Sequence, residues 1–128
     1  MKLLIDTHTL VWTMNQTSEL TKRAREAIES FDNTILVSVV TVWEAATKHR
    51  LGKFPEAGVF VSDPRAVLNR FGFQSLSLKL EHAHLSGTFP HPHRDPFDRM
   101  LAAQAILDGL TLVSNDKVFD SMLVPRIW

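Results

Sequence analysis

Short apolar runs alternate with helical patterns from one end of the chain to the other, and this alternation limits the fold more than any other feature. The runs that read as β-strands lie at residues 2–5, 34–37, 73–78, 110–113 and 123–128. A helical pattern separates each of them from the next. Strands that alternate with helices favour a mostly parallel sheet built through right-handed crossovers. We therefore predict an α/β sandwich around such a sheet.

Two of the predicted helices have clear signals at both ends. Ser38 is a candidate N-cap for a helix over residues 39–51, which Gly52 would stop. Asp95 is a candidate N-cap for another, with Pro96 at the first helical position and the end at Gly109. Shorter helices are expected at residues 7–14, 63–69, 81–85 and 117–121, one more opens at 17–19, and 52–62 is the least regular stretch. In the helix over 39–51, the side chains expected to face inward are Val39, Val42, Trp43 and Ala46.

Size and composition limit the kinds of protein that this chain can be. Its 128 residues and 45% hydrophobic content suit one compact domain, residues 1–128. The absence of cysteine excludes disulfides, thiolate nucleophiles and cysteine-based zinc sites. Asp6 interrupts the first apolar run too early for a signal peptide or a membrane span, so we expect a cytoplasmic protein without a membrane partner. The net charge of zero neither supports nor excludes a nucleic-acid partner, because binding depends on local patches.

Four acidic residues occupy comparable places in the predicted fold. Asp6 ends the first strand, and Asp116 follows the strand at 110–113. Glu44 lies about a turn and a half into the helix that leaves the second strand, and Asp98 lies on the first turn of another helix. Ligands of parallel sheets bind beyond the carboxyl ends of the strands. If the sheet is parallel, all four carboxylates can converge there.

Converging carboxylates predict a site for a divalent cation. Such groups repel one another and raise each other's pKa unless a positive charge neutralises them. Mg²⁺ or Mn²⁺ prefers oxygen ligands and suits an all-carboxylate site without cysteine. A metal of this kind can activate water and hold a phosphate oxygen, which phosphodiester hydrolysis requires.

Each acid also has a plain structural interpretation. Asp6 and Asp98 could cap or begin helices, where unpaired backbone N–H groups and the helix dipole favour carboxylates. Glu44 could form an ion pair with Lys48, four residues later, in addition to binding metal. Asp116 could be a turn residue. At this point the sequence leaves both interpretations open for every acid.

The basic residues and histidines nearby also have two interpretations. Lys48, His49, Arg50 and Lys53 follow Glu44, while Arg94 and Arg99 flank Asp98. They could be a solvated helix end favoured by the dipole, or an electropositive rim that attracts a polyanion. His91 and His93 lack a third partner at a familiar zinc spacing, so we interpret them as solvated loop residues or substrate contacts.

Several of these segments together resemble PIN-domain proteins. Leu4-Ile5-Asp6-Thr7-His8 and the segment Ser38-Val39-Val40-Thr41-Val42-Trp43-Glu44, with Lys48, are similar to the first two signatures of that family. The segment Leu110-Thr111-Leu112-Val113-Ser114-Asn115-Asp116 resembles its last signature. The stretch His91-Pro92-His93-Arg94-Asp95-Pro96-Phe97-Asp98-Arg99 resembles one subgroup, the VapC-type toxins of bacterial toxin–antitoxin pairs. The segments occur in the family's order and span nearly the whole chain.

The resemblance implies a fold, an activity and a partner. The implied fold is a three-layer α/β/α sandwich around a parallel sheet, and the implied activity is that of a Mg²⁺- or Mn²⁺-dependent endoribonuclease. It further implies inhibition by a small antitoxin, and homodimers are common in the family. By the same resemblance Asp6, Glu44 and Asp98 match the three acids that hold metal. Asp116 matches the fourth, more variable position, and Asp95 matches a subgroup feature without a catalytic role.

Our first hypothesis is therefore an RNase toxin that attacks an RNA phosphodiester with a metal-activated water. The main alternative is a binding module that grips nucleic acid with the basic rim and turns nothing over. Carboxylates at all four positions argue against that module, because a pure binder gains little from acids beside its phosphates. A phosphatase of the haloacid-dehalogenase type, with Asp6 as nucleophile, is a third hypothesis. Such enzymes usually carry a second Asp two positions later, where this chain has His8.

Overall fold

The computed structural model describes residues 1–128, and a five-stranded parallel sheet runs through its centre. The strands are β1 (Lys2–Ile5), β2 (Thr34–Ser38), β3 (Gln74–Leu76), β4 (Thr111–Val113) and β5 (Arg126–Ile127). Their order across the sheet is β3-β2-β1-β4-β5, and every neighbouring pair is parallel. The parallel sheet predicted from the alternating pattern is confirmed.

Eight α-helices connect and cover the strands. They are α1 (Thr7–Asn15), α2 (Lys22–Glu29), α3 (Val39–Arg50), α4 (Gly58–Ser62), α5 (Pro64–Phe71), α6 (Leu80–Thr88), α7 (Pro96–Asp108) and α8 (Val118–Ser121), with a 3₁₀ turn at Pro55–Ala57. The predicted caps of α3 and α7 are present, since Ser38 Oγ accepts from the N–H of Val40 at 3.0 Å and Asp95 Oδ1 from that of Phe97 at 2.8 Å. None of the helices combines the length and apolar character needed to cross a membrane.

The side chains of the central strands separate the core into two clusters, one on each face of the sheet. Along β1, Leu3 and Ile5 face one cluster while Leu4 faces the other, as the two-residue period of a strand requires. The helices α1, α2 and α5 pack on the first face, and α7 and α8 pack on the second. This arrangement confirms the three-layer α/β/α architecture.

Some predicted boundaries differ from the structure. The helix expected to open at 17–19 begins at Lys22, because Thr21 Oγ1 accepts from the N–H of Ala24 and caps the helix there. The stretch 52–62, which looked irregular, forms the 3₁₀ turn and α4 and buries Phe60 completely. Helix α6 is longer than predicted and β5 is shorter.

The predicted inward face of α3 was wrong for two of its four residues, since Val42 packs against the core and Ala46 is half-buried. Val39 and Trp43 are 39% and 53% exposed, whereas Val40 and Ala45 are buried. The reason is that α3 contacts both core clusters: Val40 packs in the cluster beneath α7, and Ala45 packs in the cluster on the other face. The helix is therefore rotated so that Glu44 points inward and Trp43 lies at the surface.

Candidate active site

The carboxyl ends of the strands border a polar pocket of about 170 Å³. All four acids singled out from the sequence line it, and no hydrophobic residue does. Its lining residues are Asp6, Thr7, His8, Glu44, Lys48, Asp95, Asp98, Asn115 and Asp116. The structure thus brings together residues that are up to 110 positions apart in the sequence.

The pairing of β1 with β4 places Asp6 near the turn that contains Asp116. Ile5 is in register with Val113, so both strands end at the same level. Asp6 Oδ1 accepts from the N–H of Thr9 at 2.9 Å and caps α1. Asp116 Oδ1 accepts from the N–H of Val118 at 3.0 Å in the turn before α8. The cap and turn interpretations are therefore true of both residues, and both also line the pocket.

Glu44 is buried and is held by two polar side chains. The hydroxyl of Thr7 donates to its Oε1, and Nζ of Lys48 donates to its Oε2. Thr41 Oγ1 lies 3.3 Å from the Thr7 hydroxyl, on the same buried side of α3. The predicted ion pair with Lys48 is present, and it supplies a positive charge inside the pocket. Partial burial alone would lower the pKa of Lys48, but its hydrogen bond and charge interaction with Glu44 raise that pKa.

The pKa of Asp98 is shifted by burial and by the charges of other acids in the pocket. This pKa is raised to about 6, chiefly by burial, and the charges of Asp95, Glu44 and Asp116 contribute to the rise. A hydrogen bond with His93 opposes the shift. These charge effects indicate that Asp95, Glu44 and Asp116 lie close to Asp98, because charge interactions decay steeply with distance in a solvated pocket.

The donor set fits a hard divalent cation. Burial also raises the pKa of Asp6, against hydrogen bonds from Ser114 and Thr9, so the ionised form of this carboxyl is disfavoured unless a cation compensates it. A cation with oxygen ligands would supply that compensation. In the present arrangement no three acidic or histidine side chains are grouped closely enough to hold a metal. Hydrogen bonds within the protein occupy two of these carboxylates instead. Lys48 and Thr7 donate to Glu44, and the ring of His93 contacts Asp98.

Arg99 is committed to the loop that precedes α7 and is not available for the electropositive rim predicted for it. Its guanidinium donates to the carbonyl oxygens of Ser86, Phe89, His91 and His93. The contacts with Ser86 and His91 measure 2.9 and 2.7 Å. The planar fork of arginine suits this multiple pairing. One side chain therefore fixes the path of residues 86–93.

The two loop histidines are less solvated than the sequence suggested. His91 and His93 are each partly buried. Nε2 of His91 lies 2.9 Å from the hydroxyl of Ser121, and Nε2 of His93 lies 2.9 Å from Oδ2 of Asp98. His93 therefore belongs to the pocket wall through Asp98, a role that the sequence pattern alone did not reveal.

Three further residues at or beside the pocket were not picked out from the sequence. Asn115 lines it, and its position directly before Asp116 in the turn after β4 was the available signal. Trp43 and Phe97 each directly precede an acid of the pocket, and the Phe97 ring lies 5.8 Å from Nζ of the pocket residue Lys48. Their ring centroids are 4.7 Å apart in an edge-to-face arrangement.

A larger cavity of about 540 Å³ lies away from the acids. It is lined near the start of β2 and the end of α1 by Leu20, Ile28, Phe31, Phe71 and others, with Glu29 as its one acid. Apolar and polar side chains are mixed in its wall, and Glu29 is not accompanied there by a second carboxylate. The smaller pocket is therefore the candidate active site.

Residues 3–122 match the family model described as PIN domain. The chain belongs to the PIN domain family. Members of this family typically use divalent metals, which agrees with the carboxylate-rich pocket of this PIN domain. Among curated proteins, none matches the sequence significantly.

Solved structures similar to this PIN domain include several toxin–antitoxin complexes. A chain of VapBC2 from Rickettsia felis, bound to a DNA fragment from the promoter, aligns with a TM-score of 0.70 and 16% identity over 99% of this chain and 98% of that chain. A chain of FitAcB from Neisseria gonorrhoeae aligns with a TM-score of 0.67 and 18% identity over 98% of this chain and 96% of that chain. For a chain of VapBC-1 from nontypeable Haemophilus influenzae, the TM-score is 0.67 and the identity 14%, over 99% of this chain and 97% of that chain. At these identities the likeness establishes the fold.

Proposed function

We propose that this PIN domain is a Mg²⁺- or Mn²⁺-dependent endoribonuclease and the toxin of a toxin–antitoxin pair. The observation that carries the proposal is the convergence of Asp6, Glu44, Asp98 and Asp116 on one pocket without a hydrophobic wall. The pKa of Asp98 is raised chiefly by burial and further by the charges of Asp95, Glu44 and Asp116, so carboxylates are crowded around it. A fold maintains such crowding at a cost in stability, which is typical of functional sites.

Asp6, Glu44 and Asp98 would hold the cation, with Asp116 as an additional ligand. A divalent cation bound there supplies a nucleophilic water near neutral pH and charge neutralisation at the phosphate. The hydroxyl of Thr7 keeps Glu44 turned into the pocket, and His93 does the same for Asp98. The ammonium group of Lys48 balances part of the negative charge. No side chain other than the carboxylates and His8 lies in the pocket as a candidate base.

The surroundings of the pocket suit a polyanion. His49 and Arg50 continue the last turn of α3 beyond Lys48, and Arg94 is exposed near the start of α7. Basic side chains of this kind attract the phosphate backbone from a distance. Carboxylates in the middle would repel that backbone in a module that only binds. We therefore favour hydrolysis over the binding-module alternative, and membership of the PIN family leaves the phosphatase alternative without support.

The partner in this proposal is a small antitoxin. The similar structures from Rickettsia felis and Haemophilus influenzae are VapBC complexes, which supports a partner of the same kind here. The sequence stretch from His91 to Arg99, which resembles the VapC-type subgroup, supports it independently. We further propose that the protein acts in the cytoplasm, where its RNA substrate lies, and that it is a homodimer.

The direct test of the enzyme is cleavage of a mixed RNA panel by purified protein with Mg²⁺, Mn²⁺ or EDTA. We expect cutting with either metal, none with EDTA, and a loss of cutting in Asp98→Asn and Asp6→Asn. Asp32→Asn, at an exposed aspartate in the turn before β2 that does not line the pocket, serves as the matched control. Full activity in Asp98→Asn would show that the assigned pocket is wrong. Metal-independent RNA binding without any product would instead favour the binding module.

The partner is tested separately from the enzyme. We expect expression of this chain alone to arrest growth, and co-expression of the short open reading frame next to its gene to restore it. The two products should purify together, and the complex should not cleave RNA. Growth arrest by the Asp98→Asn variant at equal protein level would contradict toxicity by cleavage.

A further inference from the structure

An exposed tryptophan lies on α3, one residue before Glu44 of the acidic pocket. Trp43 is 53% exposed although its sequence position predicted a core residue. It precedes Glu44 on α3, and its ring meets that of Phe97 at 4.7 Å and 73°. Phe97 in turn precedes Asp98 on α7. The two rings therefore connect the helices that supply two of the pocket acids.

The aromatic pair is joined to the pocket by a short series of contacts. Nζ of Lys48 lies 5.8 Å from the centroid of the Phe97 ring, within the range of a cation–π contact. The same ammonium group donates to Glu44. Only the Lys48 side chain thus separates the Phe97 ring from a carboxylate of the pocket. A nucleotide whose phosphate reached the carboxylates would bring a neighbouring base near the rings.

We propose that Trp43, supported edge-on by Phe97, is a stacking platform for an unpaired nucleobase next to the cleaved phosphodiester. This inference rests on the proposed function, because it assigns a base subsite to the same RNase. Stacking on aromatic side chains is the usual way in which proteins hold single-stranded RNA, and every base offers a flat face to it. The contact with Phe97 holds the indole in place before the base arrives, which reduces the entropy lost on binding.

The location favours a base over a protein surface as the occupant. Trp43 and Phe31 are the exposed Phe and Trp side chains of this structure. Phe31 lies before β2, at the opposite end of the strands, and lines the larger cavity. Trp43 instead packs on Phe97, whose ring lies 5.8 Å from Nζ of Lys48, a residue that lines the acidic pocket. Charged surroundings of this kind suit a phosphate-linked base better than the apolar centre of a protein interface.

The platform predicts a preference for single strands. A base that stacks on the indole must first leave its own stack, which costs less in a loop or a single strand than in a duplex. We therefore expect the protein to cleave a single-stranded oligonucleotide faster than the same sequence annealed to its complement.

The decisive experiment compares Trp43→Ala, Trp43→Phe and the matched control Phe31→Ala on a cleavable single-stranded oligonucleotide. We expect Trp43→Ala to raise KM by about 5- to 100-fold with little change in kcat, since one base–aromatic stack is lost. Trp43→Phe should retain most of the affinity because it keeps an aromatic face. Phe31→Ala should behave as the unchanged protein.

A second measurement locates the base. Oligonucleotides that carry an abasic site at each position around the cleaved bond are bound to Asp98→Asn protein, with and without Trp43→Ala. At one position, the abasic site should lower the affinity of the Asp98→Asn protein and should not lower that of the protein that also carries Trp43→Ala. Equal losses in both at every position would overturn the platform.

Three outcomes separate this inference from the function on which it rests. Cleavage of RNA with an unchanged KM in Trp43→Ala overturns the platform and leaves the nuclease standing. A rise in KM accompanied by a change in molar mass, measured by light scattering, would show that Trp43 joins two copies of the chain, and it also overturns the platform. If the unchanged protein neither cleaves nor binds RNA, the proposed function and the platform fail together.

Discussion

Nε2 of His93 lies 2.9 Å from Oδ2 of Asp98, so a loop residue and a helix residue meet in the wall of the pocket. The loop reaches this position because Arg99 holds the backbone carbonyl of His93 at 2.9 Å. Groups that bond a carboxylate from outside orient it for metal binding. The path of the loop and the geometry of the candidate ligand are thereby coupled.

Replacing His93 by Ala should weaken the site without destroying it. Asp98 would lose the donor that holds its Oδ2, and such outer contacts are worth about 10- to 100-fold in metal affinity or activity. We expect a higher Mn²⁺ concentration for half-maximal cleavage, with part of the rate recovered at saturating Mn²⁺. The measurement is a cleavage rate at graded Mn²⁺ concentrations.

The matched control for this variant is His84→Ala. His84 is an exposed histidine on α6, and it does not line the pocket. Its removal should leave the Mn²⁺ dependence unchanged. If both variants required the same Mn²⁺ concentration as the unchanged protein, His93 would have no part in orienting Asp98.

Replacing Arg99 should destabilise the fold as well as the loop. Arg99→Ala removes the donor from four carbonyl oxygens, so we expect the free energy of unfolding to fall by about 2 to 4 kcal/mol. Arg99→Lys should restore little, because an ammonium group cannot reproduce the planar fork. Urea unfolding measures both, and the exposed Arg94→Ala is the control. Equal stabilities for Arg99→Lys and the unchanged protein would show that charge alone suffices.

The parallel sheet and the convergence of the acids could be predicted because they depend on local rules. Strands alternate with helices, and residues after parallel strands meet at one edge of the sheet. Asp6 directly follows β1, and Asp98 lies on the first turn of α7, two residues after Pro96, so their places needed no long-range information.

The other features depend on tertiary contacts that no local pattern encodes. The rotation of α3 that exposes Trp43 depends on contact with two core clusters at once. The use of Arg99 as a carbonyl clamp depends on the path of a loop with two prolines. In the sequence, basic residues near acids could be interpreted as an electropositive rim. Only the structure shows that the Arg99 guanidinium donates to the carbonyl oxygens of Ser86 and Phe89 instead.

The charge of Asp98 should make the metal-free protein less stable near neutral pH than in mild acid. Its pKa rises from the ordinary 3.8 to about 6, chiefly by burial, despite the hydrogen bond with His93. Neighbouring charges on Asp95, Glu44 and Asp116 add to the rise. A carboxyl whose folded pKa is raised contributes stability below its unfolded pKa, and this contribution is lost as the pH rises through about 6.

Asp98→Asn should therefore stabilise the metal-free protein at pH 7.5 and not at pH 4. After allowance for solvent screening, we expect a gain of about 1 to 2 kcal/mol at the higher pH. Urea unfolding in EDTA at both pH values measures the difference, with Asp32→Asn as the control. A gain of the same size at pH 4 would show that it does not come from the charge. Added Mn²⁺ should reverse the ranking at pH 7.5, because the unchanged protein binds it more tightly.

The hydroxyl of Thr7 should matter more for cleavage than its methyl group. It donates to Oε1 of Glu44 inside the buried part of the pocket, while Lys48 holds the other oxygen. Thr7→Val keeps the shape and removes the donor, so the carboxylate loses its fixed orientation. We expect cleavage to fall by about 10- to 100-fold, as for other contacts that orient a ligand.

Thr7→Ser is the matched variant, since it keeps the hydroxyl and loses only the methyl group. Cleavage by Thr7→Ser should stay within about threefold of the unchanged protein, while a buried methyl costs roughly 1 kcal/mol of stability. The two variants thus separate the orientation of Glu44 from packing. Thr7→Val should lower the cleavage rate more than the stability, and Thr7→Ser should lower the stability more than the rate. An unchanged rate in Thr7→Val with a reduced rate in Thr7→Ser would mean that Thr7 acts by filling space, and that Lys48 alone suffices to hold Glu44 in position.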